Sequence, residues 1–312
     1  MKKFASGLTL AMLCASTALA GDIGVTIATS DSNLALLSEA LKAHADELGQ
    51  SVQIEFADGD VNKQLSQVQN FIAAGVDAII VNISETSSSP TITKMAADAG
   101  IPLVYVNNTP LDLDALGDSA AFVGSDEYVA GTLEAEGVCQ RLIARGVSGE
   151  AGVLIIQGIL ANETALKRSK AVHDVAARPE CSMMKIIDEQ SANWDPVKAQ
   201  DLMTNWLTAG YQPAAVISNN DEMAFGAVNA LKAVGANLEE IEIAGIDAIP
   251  EALEYIKRGD MDITVYQDVR AQGTVALDMA IAMAKGEKVE SPNWIPYELV
   301  TPDKAEEYLS RY

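Results

Sequence analysis

Strand-like apolar runs alternate with amphipathic helical patterns twice over along this chain, and that doubled alternation restricts the fold more than any other feature. The first series opens at Ile23 to Ala28 and passes into a helical stretch in which Leu34, Leu37, Leu41 and Leu48 share a face, stopped by Gly49. Strand-like runs follow near Val52 to Phe56, Ala78 to Val81 and Leu103 to Val106, with helices ending at Gly75 and Gly100. A second series begins at Ala151, with strands at Val153 to Ile156, Met184 to Ile187, Ala215 to Ile217 and Ile241 to Ile246, and helices ending near Gly210 and Gly235. Alternation of this kind builds parallel sheets covered by helices, so the spacing predicts an α/β fold of two similar lobes.

Ahead of the first strand stand Lys2 and Lys3, an apolar run from Phe4 to Cys14 and an Ala18-Leu19-Ala20 site. That order reads as a secretory signal peptide over residues 1–20, cleaved after Ala20, and its core is too short for a permanent membrane span. No later run reaches the roughly eighteen apolar residues that a membrane helix needs. A soluble mature chain in the periplasm is therefore expected. The net charge of −23, about −25 after loss of Lys2 and Lys3, argues against a nucleic-acid partner, because phosphate binding requires clustered Lys and Arg. The two cysteines of the mature chain, Cys139 and Cys181, lack the neighbours of a zinc site; a disulfide and two buried thiols both stay open.

The turn after the first strand, Ala28-Thr29-Ser30-Asp31-Ser32-Asn33, has no glycine, and no phosphate loop, metal constellation or nucleophile elbow follows. No cofactor, metal or catalytic residue is expected, and the chain reads as a binding protein rather than an enzyme. His44 and His173 fall within helical patterns and read as surface or structural residues. A ligand-responsive regulator would need an N-terminal DNA-binding domain where the signal stands.

In open parallel sheets ligands settle outside the carboxyl ends of the strands. Asp31 and Asn33 follow the first strand and Asn107 and Asn108 the fourth; Asn220 precedes Asp221, Asp247 follows Ile246 and Gln267 follows Val265, with Arg168 and Trp194 near helix starts. A polar set with one indole suits a neutral polyhydroxylated ligand, since Asn and Asp meet hydroxyls while the ring covers a C–H face. Structural readings stand beside this one: Asp31 as a helix cap, Asn219 with Glu222 as a capping box, and Trp194 as a hydrophobic staple ahead of Asp195-Pro196.

The stretch Val216-Ile217-Ser218-Asn219-Asn220-Asp221-Glu222-Met223-Ala224-Phe225-Gly226-Ala227 resembles the motif of ribose-type periplasmic binding proteins. Ala244-Gly245-Ile246-Asp247-Ala248-Ile249-Pro250-Glu251-Ala252 and Ile263-Thr264-Val265-Tyr266-Gln267 are similar to its next two elements. The resemblance implies the type I fold, two Rossmann-like lobes joined by a three-crossing hinge, with residues 21–124 and 268–296 in one lobe and 125–267 and 297–312 in the other. It also implies that Asn220, Asp247 and Gln267 bond sugar hydroxyls, that Arg168 is the pocket arginine, that Trp194 stacks on the sugar ring, and that Asp31 reaches in from the first lobe. Two departures bear on the ligand. Asn107-Asn108 stands where ribose- and galactose-type members carry Asp-Arg, and Asn33-Leu34 replaces paired phenylalanines. They point to a pentose, a linear polyol or a cyclitol. By the same resemblance the chain acts as a monomer that serves an ABC permease driven by a cytoplasmic ATPase; presenting ligand to a chemoreceptor is the alternative role.

Overall fold

Residues 22–312 are described by the computed structural model; the signal peptide expected over residues 1–20 lies outside them. The first series forms β1 (Asp22–Ile27), α1 (Ser32–Leu48), β2 (Ser51–Phe56), α2 (Val61–Ala74), β3 (Ala78–Val81), α3 (Ser89–Ala99), β4 (Leu103–Asn107) and β5 (Ala120–Gly124). The second forms α4 (Glu127–Ala144), β6 (Ala151–Gln157), α5 (Glu163–Ala176), β7 (Met184–Ser191), α6 (Pro196–Thr208), β8 (Ala215–Ser218), α7 (Asp221–Ala233), β9 (Glu242–Asp247), α8 (Pro250–Arg258) and β10 (Ile263–Gln267). Then come α9 (Val269–Ala284), β11 (Asn293–Trp294), β12 (Tyr297–Val300) and α10 (Ala305–Leu309).

Local chemistry accounts for the element ends. Asp31 caps α1 by accepting from the Leu34 N–H, and Gly49 closes it at φ 66°, a conformation that residues with a side chain rarely adopt. Leu34, Leu37 and Leu41 are buried, but Leu48, expected on the same face, is 52 % exposed in the last turn, and Ala45 takes the inward place. The capping box expected from Asn219 and Glu222 does not form. Asn220 caps α7 instead, because Asn219 is drawn away to accept from the Gly158 N–H.

The two sheets wind alike. Their strand orders are β11-β5-β4-β3-β1-β2 and β12-β10-β9-β8-β6-β7. Strands β1 to β5 run parallel, as do β6 to β10; β12 joins β10 antiparallel. Strands β3 and β4 are wholly buried, as a parallel sheet covered on both faces requires. On one face of the first sheet Ile23, Val25 and Val104 meet Leu37 of α1 and Leu277 of α9; on the other, Ile79 and Tyr105 meet Phe71 and Ile92. The second sheet repeats the scheme with Leu154 and Val216 against Met203 and Trp206, and Val153 and Ile155 against Val138 and Val172. Each such Leu, Ile or Phe contributes about 2 kcal/mol by leaving water.

Helix α4 packs on the second sheet and α9 on the first. The chain therefore passes between lobes after β5, after β10 and between β11 and β12. The architecture is two similar Rossmann-like lobes on a three-crossing hinge. Cys139 of α4 and Cys181 form a disulfide, their Cα atoms 5.6 Å apart, which closes the question that spacing left open. Among the described residues no helix is long and apolar enough to cross a membrane, and no cluster of His, Cys, Asp or Glu could hold a metal ion.

Candidate functional site

Between the lobes, at the carboxyl ends of the strands, lies a cavity with about 520 Å³ of empty space, its mouth included. Asp31, Asn33, Asn107 and Asn108 line it from the first lobe, Arg168, Trp194, Asn220 and Asp247 from the second, and Gln267 from the second crossing. All nine residues picked out by sequence thus share one site. Thr29, Ser84, Asn162 and Thr164 line it as well. Sequence reading passed over these four, although Ser84 and Asn162 also follow strand ends.

Arg168 stands in the second turn of α5, and its position depends on a glycine. A Cβ on Gly131 of α4 would lie 2.3 Å from the Arg168 carbonyl oxygen, so only glycine lets the two helices approach this closely. The buried guanidinium donates from Nε to Glu127 Oε2 at 2.6 Å, from Nη1 to the Asn219 carbonyl at 2.5 Å and from Nη2 to the Tyr297 hydroxyl at 2.9 Å. Burial alone would lower its pKa, but Glu127, Tyr297 and Asp247 outweigh that and hold it cationic. Of its five N–H groups, two remain for another partner.

Asp247 ends β9 at φ 124°, and Ala248 follows at φ 54°. Six non-glycine residues among those described have positive φ; Asn107, Trp194 and Asp247 are three of them, so backbone strain gathers at this cavity. The Asp247 carboxyl pairs with Arg168 Nη1 at 4.0 Å and accepts no hydrogen bond from the described residues. Burial pushes its pKa well above the usual carboxylate range; Arg168 opposes the shift, while Asp221, Asp31 and Glu127 add to it. Trp194 lies against Gly158, where a Cβ would meet the indole at 2.1 Å, and its ring centroid is 6.0 Å from the Arg168 guanidinium.

The remaining side chains divide by what they still have to offer. Asn107 is engaged at both ends, donating to Gln272 Oε1 at 3.0 Å and accepting from Asn82 Nδ2 at 3.3 Å. Asn108 donates to the Ile83 carbonyl at 2.8 Å and accepts from the Thr164 hydroxyl of the facing lobe at 3.3 Å. Gln267 accepts from Asn33 Nδ2 at 2.8 Å and donates to the Tyr297 hydroxyl at 2.7 Å. Asp31 takes the Leu34 N–H and the Thr29 hydroxyl. The amide nitrogens of Asn220 and Asn162 donate to no described residue, since each side chain only accepts, from Met223 and Thr164. With Asp247 and the two spare N–H groups of Arg168, they give the second lobe a mixed set of donors and acceptors suited to hydroxyls. Away from the cavity the lobes also touch where the Ser32 hydroxyl donates to Glu222 Oε1 at 2.5 Å and the Thr86 N–H donates to the Ala161 carbonyl at 3.3 Å.

Two hinged α/β lobes enclosing a polar cleft define a type I solute-binding protein, which captures a small molecule and does not convert it. Residues 23–288 match the periplasmic binding protein domain, and the chain belongs to that family, among its ribose-binding-protein-like members. It is 45 % identical, over the full length of both chains, to a Rhizobium meliloti protein provisionally named rhizopine-binding. Among solved structures it resembles an ABC transporter solute-binding protein from Bacillus halodurans C-125 with bound myo-inositol, at 39 % identity and TM-score 0.86 over 94 % of this chain and 98 % of that one. The Caulobacter myo-inositol binding protein, also with myo-inositol bound, matches at 26 % identity and TM-score 0.84 over 93 % and 97 %.

Proposed function

We propose that this protein captures a neutral cyclitol, with myo-inositol the first candidate, in its interlobe cleft in the periplasm and delivers it to an ABC importer. The Asp247 carboxyl, which faces Arg168 at 4.0 Å but accepts no hydrogen bond from the described residues, carries the reading. Closing the lobes over it without a ligand strips it of water and leaves it unbonded, which disfavours closure. Vicinal hydroxyls that donate to Asp247 and accept from Arg168 and Asn220 offset that cost, so closure is tied to occupancy. Trp194 covers the C–H face of the ring. Asp31 and Asp247 together disfavour an anionic ligand. A ring with fixed hydroxyls loses less rotational freedom on binding than a linear polyol, which favours the cyclitol among the three classes. The two similar structures that hold myo-inositol point the same way.

Isothermal calorimetry on the mature chain with myo-inositol, xylitol, ribose and galactose tests the proposal. Myo-inositol is expected to bind at least about tenfold more tightly than the others, a difference of about 1.4 kcal/mol. A preference for ribose or xylitol would overturn the cyclitol and keep the polyol; no binding of any of the four would overturn both.

A further inference from the structure

The first lobe presents Asn107 and Asn108 to the cavity, yet both side chains are bonded at each end to protein partners. Two other polar atoms on the same wall have no such partner. Ser84 Oγ and Asn33 Oδ1 are sealed from solvent and accept or donate no hydrogen bond among the described residues. Both residues line the cavity, at 5 % and 8 % exposure. A buried polar atom left unbonded is unfavourable enough to be rare in folded proteins, so two on one wall mark a surface shaped for groups that complete them. The other such atoms belong to Glu127 and Glu134, neither of which lines the cavity.

Ser84 is also held in place. Gln64, fully buried on α2, donates from Nε2 to the Asn82 carbonyl and accepts the Ser84 N–H, each at 2.8 Å, so the backbone is clamped on both sides of Ile83. Asn82 in turn accepts the Ala28 N–H at 3.0 Å, tying this loop to the end of β1. These bonds fix the backbone that carries Ser84, and with it the Cβ from which the hydroxyl projects into the first lobe's wall of the cavity.

We infer that Ser84 is a ligand-binding residue, and that Ser84 and Asn33, in place of the side chains of Asn107 and Asn108, supply the first lobe's hydrogen bonds to a hydroxylated ligand. The inference rests on the polyol reading of the same cavity. The two contacts differ in timing. Every group that clamps Ser84 belongs to the first lobe, so its hydroxyl is in position before the lobes meet. Asn33 is oriented by Gln267 at the crossing and completes its contact on closure.

The test is Ser84→Ala in the mature protein, titrated with myo-inositol by calorimetry and melted without ligand, beside Asn107→Ala. Losing an unpaired hydroxyl should leave the melting temperature of the unliganded protein unchanged or raised, while affinity falls about tenfold. Asn107→Ala breaks buried bonds to Gln272 and Asn82 and should lower the melting temperature. Unchanged affinity in Ser84→Ala, with the wild-type protein binding normally, would overturn the inference and leave the polyol site standing, as would a lowered melting temperature with unchanged affinity. A wild-type protein that binds none of myo-inositol, xylitol, ribose or galactose would overturn the polyol reading first.

Discussion

Asp247 and Trp194 set the two kinds of contact that a single side chain can make in this cleft. Asp247→Ala removes the acceptor for two hydroxyls and is expected to weaken binding by about 3 kcal/mol, near a hundredfold, measured by calorimetry with the preferred ligand. Unchanged affinity would refute the placement of ligand against β9. Trp194→Ala is expected to cost about 1–3 kcal/mol of affinity if the indole covers a ring face. A variant that loses folding with no specific loss of affinity would make the indole a staple at the start of α6. At this scale the positions were legible in the sequence, because side chains just past strand ends in a parallel sheet converge. How much of each side chain is already engaged was not. Asn107 and Asn220 read alike in the sequence, but Gln272, 165 residues away, occupies the first, and the amide of the second stays open. Such partners come from tertiary neighbours that no local spacing encodes.

Helices position those residues, and two features of the second lobe show how. Gly131→Ala would push α4 from α5 at Arg168, and it is expected to destabilise the fold by about 1–3 kcal/mol and to weaken binding together with it. A change in stability with affinity intact would show that Arg168 tolerates the displacement. Cys139 and Cys181 sit 42 residues apart, a loop whose closure accounts for up to about 4 kcal/mol of stability. They join α4 to the segment ahead of β7, at the end of the sheet opposite the cleft. Reduction should therefore lower the melting temperature and leave affinity nearly unchanged. The alternation that gives β1 to β4 and β6 to β9 is plain in the sequence, since each buried strand is a short apolar run closed by a turn. Strand β12 is not, because Tyr297-Glu298-Leu299-Val300 acquires its antiparallel partner only through the hinge. Leu48 misled for a related reason, since periodicity assigns a face to a residue without showing whether the last turn has anything to pack against.

The whole molecule responds to pH through carboxyls buried in the second lobe. Burial pushes Asp221 up to about 7, and it raises Glu134 well above the usual range, with Asp221 adding to the shift and Arg168 opposing it. A folded-state pKa above the unfolded one means that the native state holds the proton more tightly. The stabilisation is then complete below the ordinary carboxylate range and is lost as pH rises above it, for Asp221 through about 7. The melting temperature of the unliganded protein is expected to fall from pH 5 to pH 8, and Glu134→Gln, which fixes the neutral form, should flatten that slope; an equal slope in the variant would exclude Glu134 as its source. Closure answers to a different contact. Ser32→Ala removes the hydroxyl's bond to Glu222 and keeps the one from the Ser32 N–H, without touching the cavity; this weaker clasp should shift the unliganded population toward separated lobes, lowering affinity about threefold, with small-angle scattering reporting the opening. Finally, α9 lies at the far end of the sequence but covers a face of the first sheet. As the ribosome releases the chain, Ile23, Val25 and Leu37 wait for residues 269–284 before they can be sealed. The lobe begun first is therefore completed almost last, and one face of its sheet stays unsealed for nearly the whole of the chain's synthesis.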